Sequence, residues 1–155
     1  MNIMEKQANE KSNLQKIAVG TKQLFSTFYE MNKDYNSKNL FSFITNPNYE
    51  VYTTVFNIAE LFHLIQEREY HNYLKKYNLT EEEFSIEQFK NLEKESEELK
   101  NKFHIIYLKI NSCIKIEKYY LDENFEKEYA KEYSNHNIFS FALKKFCIEK
   151  NIKQI

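Results

Sequence analysis

The chain has 155 residues, 42% of them apolar and 29% charged, with a formal net charge of −1, a balance that excludes a wholly disordered chain and fits one domain burying roughly 70% of its unfolded surface. No apolar run approaches the ~20 residues of a membrane span, and the opening MNIMEKQANEKSNLQK lacks the apolar core of a signal peptide, so a cytoplasmic, intracellular protein with no membrane partner is expected. The single glycine, Gly20, excludes the glycine-rich phosphate cradle, the dinucleotide-binding turn and the G-x-S-x-G nucleophile elbow, each of which needs more than one.

From Ser12 to Lys33, Leu14, Ile17, Ala18, Leu24, Phe25, Phe28 and Met31 recur at spacings of three and four, which predicts an amphipathic helix. Asn32 to Asn39 reads as its end and a connector. Leu40–Ile44 reads as a helix of one or two turns, and Asn46-Pro47-Asn48 then breaks the chain. From Asn48 to Tyr77 the sequence predicts a helix of about 30 residues, ~45 Å long. Its first half, VYTTVFNIAELFHLI, is apolar on most sides and is expected to be central.

Asn78 and Leu79 form a short joint, and Thr80 with Glu83 makes the T-x-x-E capping box of a further helix, Thr80–Leu121. Its apolar seam, Phe89, Leu92, Ser96, Leu99, Phe103, Ile106, Ile110 and Cys113, alternates three and four. A competing reading makes FHIIYLKI and CIKIEKYY two strands joined at Asn111-Ser112, but the continuous heptad phase and the absence of a turn glycine favour helix. Asp122–Tyr133 and Asn137–Lys150 read as two shorter helices separated by the polar joint Ser134 to Asn137. The expected fold is all-α: a single helical domain over residues 1–155, a bundle of five or six helices around a long antiparallel hairpin of Asn48–Tyr77 and Thr80–Leu121.

Residues 81 to 98 hold eight glutamates and two lysines, a local charge of −6, whereas residues 99 to 155 carry eleven lysines and seven acids. Glu87 with Lys90, Glu97 with Lys100 and Glu98 with Lys102 have the spacing of intrahelical ion pairs, and that part of the run reads as a solvated face. Glu81, Glu82, Glu83, Glu93 and Glu95 have no obvious downstream cation, and they form the expected ridge for docking a basic surface. Tyr70, Tyr73 and Tyr77 make a stripe at i, i+3, i+7 that suits an interface or the rim of a core, and Tyr129 with Tyr133 makes a shorter one. Lys144, Lys145, Lys150 and Lys153 cluster, but with one arginine in the chain the patch is weak for sequence-specific nucleic-acid binding.

Glu60 and His63 have the i, i+3 spacing that bundles use for metal ligands, yet no second Glu-x-x-His exists, and Glu132 with His136 is spaced at four near a helix end. Cys113 and Cys147 sit apart in apolar surroundings, as buried thiols of a reducing compartment rather than zinc or redox pairs. No metal or cofactor is therefore expected. A helical chain of this size invites comparison with HEPN RNases, whose arginine and histidine share a helix. Arg68 and His71 stand closer together than that family's motif places them, so the resemblance fails at its diagnostic element. The expected function is that of a small intracellular, non-enzymatic regulator or inhibitor, of the type carried by mobile elements and exemplified by anti-CRISPR proteins. Its expected partner is a protein or ribonucleoprotein with a basic surface. A small helical enzyme, metal-dependent or HEPN-like, is the alternative.

Overall fold

Asn46 ends one helix and sends the chain into a strand. Its side-chain oxygen accepts the Asn48 N–H at 3.0 Å and its carbonyl accepts the Tyr49 N–H at 3.1 Å, a side-chain-supported turn that delivers Tyr49–Thr54 extended. In the computed structural model, which describes residues 14–31, 35–118, 123–132 and 137–155, this is one of the strands β1 (Gln15–Ala18), β2 (Tyr49–Thr54), β3 (Lys115–Glu117) and β4 (Lys153–Gln154). They form one parallel sheet in the order β3-β2-β1-β4, with Ile17 opposite Val51 and Thr53 opposite Ile116. The expected all-α bundle is therefore corrected to an α/β fold, in which the helices are crossovers around a sheet.

Those helices are α1 (Thr21–Leu24), which runs on as a π-helical segment (Phe25–Glu30), then α2 (Tyr35–Ile44), α3 (Val55–Tyr77), α4 (Ile86–Lys90), α5 (Glu93–Cys113), α6 (Glu123–Glu132) and α7 (Ile138–Lys150). The first two crossovers step the same way along the sheet and pack α1 to α5 on one face. The third steps back past β1 and packs α7 on the other. Right-handed crossovers require this, because reversing the direction of travel moves the connecting helices to the opposite face. Side chains divide to match. Ile17, Val19 and Val51 join Leu24, Leu40, Leu61, Ile65, Ile106 and Ile110, whereas Ala18 and Tyr52, at alternate strand positions, join Leu143, Phe146 and Cys147.

The corrections have local causes. Val51, Tyr52, Thr53 and Thr54 are all buried, as in a strand covered on both faces. A strand of that kind lacks alternation, so the run resembles the start of a buried helix. The true start of α3 is set by Thr54, whose Oγ1 accepts the Asn57 N–H at 3.3 Å. Likewise Ile17 and Ala18 are both buried because β1 is central in the sheet, which imitated the helical spacing expected of Ser12–Lys33.

The Thr80–Glu83 box forms both of its hydrogen bonds, at 2.9 and 3.3 Å, but closes only a turn. Only α4 begins at a second box, where Ser85 and Gln88 exchange bonds of 2.8 and 3.2 Å, and the expected single helix Thr80–Leu121 is broken again at Asn91–Leu92, where Leu92 is extended ahead of α5. Residues 103 to 113 are helical, while Lys115–Glu117 within CIKIEKYY pairs parallel to β2 and not in a hairpin. Helix α3 runs antiparallel to α4 and α5, since Phe62 lies on Phe103 of α5 at 4.6 Å between ring centroids while Tyr73, farther along α3, lies near Phe89 of α4 at 5.5 Å. The expected joint at Ser134 to His136 and the end of the expected helix at Leu121 fall outside the described residues.

Candidate functional site

Helix α3 ends on Asn78, which takes the left-handed conformation at φ 52° while Leu79 N–H returns to the Leu74 carbonyl at 2.9 Å. The turn that follows presents Glu81, Glu82 and Glu83 to solvent. Glu83 caps the Thr80 N–H, and Glu81 stands 3.6 Å from His71 Nδ1. Glu93 is exposed in the first turn of α5, where the helix dipole favours an acid. Glu95 is half-buried in a groove between α3 and α5 that also holds Glu69, Tyr73, Leu99 and Lys102. Glu81 lines a different groove, with Arg68, His71 and Lys75. Of the five expected carboxylates, Glu95 and Glu81 thus line separate grooves, while Glu82, Glu83 and Glu93 are exposed outside both.

Local compensation is weaker than sequence spacing suggested. Lys100 does reach Glu97, at 3.4 Å. Lys102, however, turns away from Glu98 to pair with Glu69 of α3. Glu69 also accepts the Tyr29 hydroxyl at 2.7 Å; burial, reinforced by this hydrogen bond and the carboxylate's charge, holds the Tyr29 proton on well above the usual phenol range. Among the described residues, Glu82, Glu87, Glu93, Glu95 and Glu98 make no ion pair.

The tyrosine stripe divides by burial. Tyr70 is 5% exposed and its hydroxyl donates to the Phe84 carbonyl at 2.5 Å, so it holds the turn under α3. Tyr73 is half-buried among the rings of Tyr77, Phe84 and Phe89. Tyr77, half exposed, offers a face to solvent. Tyr129 packs on Phe125 and Phe141, and Tyr133 lies outside the described residues.

The residues of the enzymatic alternative are dispersed. His63 is exposed and 3.2 Å from Glu67 rather than joined to Glu60. Arg68 sits over the Phe25 ring and 3.8 Å from Glu30, while His71 faces Glu81. Among the described residues no three His, Cys, Asp or Glu side chains gather as a metal site, and none of the described helices is long and apolar enough to cross a membrane. His136 lies outside the described residues.

Sequence reasoning missed the polar cluster at the carboxyl ends of β1 and β2. Thr21, Thr53, Thr54 and Asn57 are all buried there. Asn57 Nδ2 donates to Thr21 Oγ1 at 3.2 Å, Thr54 Oγ1 donates to Asn57 Oδ1 at 2.6 Å, and Thr53 Oγ1 donates to the Val19 carbonyl at 3.0 Å. Beside it, between β1 and β4, lies the point where strand order reverses and where open α/β sheets commonly bind ligands. Here the chain fills that place with its own groups: Gln23 accepts the Gly20 N–H and donates to the Ile155 carbonyl, each at 3.2 Å, and Ile155 N–H donates to the Ala18 carbonyl at 3.1 Å. The T-x-x-N spacing of Thr54 and Asn57 was the one signal that could have found the cluster.

Gly20 itself is extended, at φ −94°, and an added Cβ would meet Gln23 Oε1 at 3.4 Å and Leu143 Cδ2 at 3.5 Å, ordinary contacts. Gly20→Ala is therefore expected to leave the melting temperature unchanged or slightly raised, since alanine restricts the unfolded chain by about 0.4–1 kcal/mol. A clear fall in thermal denaturation would contradict this.

Both cysteines are free. Burial pushes the Cys147 thiol from its ordinary 9.0 up to about 11, and raises half-buried Cys113 as well. At pH 8 the Cys147 thiolate fraction is then about 100-fold below that of an ordinary thiol, so alkylation of the folded protein at Cys147 should be slower, by about 10-fold or more once the greater nucleophilicity of a higher-pKa thiolate is set against the lost fraction. The sign for stability follows: the fold holds this proton more tightly, so the contribution is complete below pH 9 and is lost as pH rises through about 11. Rapid alkylation at pH 8, read by mass spectrometry, would contradict it. The chain matches no model of a known protein family and no curated protein closely enough to assign a relationship.

Proposed function

We propose that this protein is a small intracellular regulator or inhibitor that acts by binding, laying the carboxylates of the 81–83 turn and of the first turn of α5 on the basic surface of a larger protein or ribonucleoprotein. The supporting observation is the excess charge of this segment: residues 81 to 98 carry a net −6, and with Lys102 diverted to Glu69 the carboxylates of Glu82, Glu87, Glu93, Glu95 and Glu98 make no ion pair among the described residues. Exposed carboxylates in such a run attract a basic partner over about a Debye length, ~10 Å at 0.1 M salt, and steer its approach. Tyr77, half exposed at the end of α3, supplies an aromatic face beside the 81–83 turn that can be desolvated on contact. Tyr70 and Tyr73 contribute by holding the turn and the α3 surface in place.

The test compares two baits in the native host's lysate, the wild-type chain and a variant with Gln at Glu81, Glu82, Glu83, Glu93 and Glu95. Glutamine at position 83 keeps a side-chain oxygen for the cap. The wild type should retain a partner with a basic surface that is released by added salt, and the variant should retain at least about 10-fold less, the effect of ~1.4 kcal/mol. Equal retention of the same partner by both baits would overturn the proposal.

A further inference from the structure

Helix α5 is apolar on two sides. Ile106 and Ile110 are buried in the core, yet Ile105 and Leu108 are 53% and 52% exposed. Met31, at the end of the π-helical segment, lines the same groove as Ile105 and is 67% exposed. Exposed large apolar residues gathered at one place mark an association surface more often than they decorate a free one.

The charges beside them say what fits. Along the α5 wall of this groove run Glu98, Lys102, Ile105 and Lys109, at intervals of four, three and four residues. That spacing is symmetrical about a point between Lys102 and Ile105, with an acid at one end and a base at the other. Glu98 and Lys109 make no ion pair among the described residues, and the Lys102 ammonium is turned aside to Glu69 while its side chain stays 42% exposed. A second α5 laid antiparallel across a two-fold axis at that point sets Glu98 of each copy against Lys109 of the other. It also lays each Ile105 on the aliphatic stem of the other copy's Lys102. A uniformly acidic or uniformly basic partner would satisfy one end of the row and be repelled by the other.

We infer that a second copy of this chain occupies the exposed face of α5, giving an isologous dimer held by Ile105, Leu108 and Met31 and aligned by two reciprocal Glu98–Lys109 pairs. One helix face per copy is a small contact, so the dimer is a weak one that forms with concentration. The inference does not depend on the docking role of the 81–83 turn.

Sedimentation equilibrium from about 1 µM to about 1 mM spans the range in which a weak dimer changes state. The wild type should pass from monomer to dimer. Ile105→Lys and Leu108→Glu, at exposed positions, should keep the helical circular dichroism and raise the dimer Kd by at least about 100-fold, because the first sets cations on the other copy's Lys102 and each replaces two apolar contacts with charges that must be desolvated. Glu98→Lys and Lys109→Glu should each weaken the dimer about 10-fold by setting like charges opposite. The double variant Glu98→Lys with Lys109→Glu should restore the wild-type Kd, since acid and base only exchange places. A wild type that stays monomeric throughout overturns the inference. So does a dimer indifferent to Ile105→Lys, or a double variant no tighter than the single ones.

Discussion

Phe146→Ala is expected to cost about 3–5 kcal/mol, the usual range for deleting a buried phenyl ring. Phe146 is 2% exposed and lies 6.3 Å from the Tyr52 ring, between α7 and the second face of the sheet. The cluster it anchors is small, being Ala18, Tyr52, Leu143, Cys147 and Ile152 besides Phe146, so few neighbours can close over the vacancy. A chain of this kind is stable by about 5–15 kcal/mol in all. The loss should also be local in its consequences, because α7 hands on to β4 through the Ile152 N–H to Cys147 carbonyl bond of 2.9 Å. Hydrogen exchange should therefore quicken first in α7 and β4, ahead of α3 and α5. A denaturant midpoint barely changed from wild type would mean that α7 does not cover the sheet.

Asn57→Ala should cost about 2–4 kcal/mol, although the side chain removed is small and polar, because each buried hydroxyl it abandons carries a penalty of about 1–3 kcal/mol. Its carboxamide joins Thr54 at the carboxyl end of β2 to Thr21 at the start of α1, and Asn57 is 2% exposed. Asn57→Asp supplies a sharper control. The acid keeps the acceptors but loses the donor to Thr21, and burial raises its folded-state pKa, so the variant should be closest to wild type below about pH 4 and lose stability as pH rises above it. An Asn57→Ala variant as stable as wild type would show that the cluster does not tie β1 to β2.

How far the sequence led depends on what each segment packs against. The seam of α5 was legible because a helix covered on one side keeps its period: Leu99, Ile106 and Ile110 are all buried as spaced, and Phe89 of α4 is buried ahead of them. The strands were not, because a parallel sheet covered on both faces removes alternation, and Val51–Thr54 reads as an unbroken apolar and threonine run. β1, β3 and β4 are no longer than four residues, too short to register against a helical background. The glutamates of the 81–83 turn were placed at the surface by composition alone. That Lys102 would answer Glu69 and not Glu98 depends on the approach of α3 to α5, a tertiary fact outside the reach of intrahelical spacing. The burial of Tyr70 has the same origin, since it rests on the Phe84 carbonyl brought beneath it by the turn.

The most direct test of the docking function is kinetic. With the partner retained by the wild-type bait in hand, association and dissociation rates are measured at low and at moderate salt for the wild type and for the variant carrying Gln at Glu81, Glu82, Glu83, Glu93 and Glu95. Exposed charges contribute little to stability, so the variant should melt within a few degrees of wild type. Its association rate at low salt should be at least about 10-fold lower while dissociation changes less, and the wild-type rate should fall toward it as salt screens the field. Association rates that agree between the two proteins at low salt, or a wild-type rate that does not respond to salt, would contradict a function built on these carboxylates.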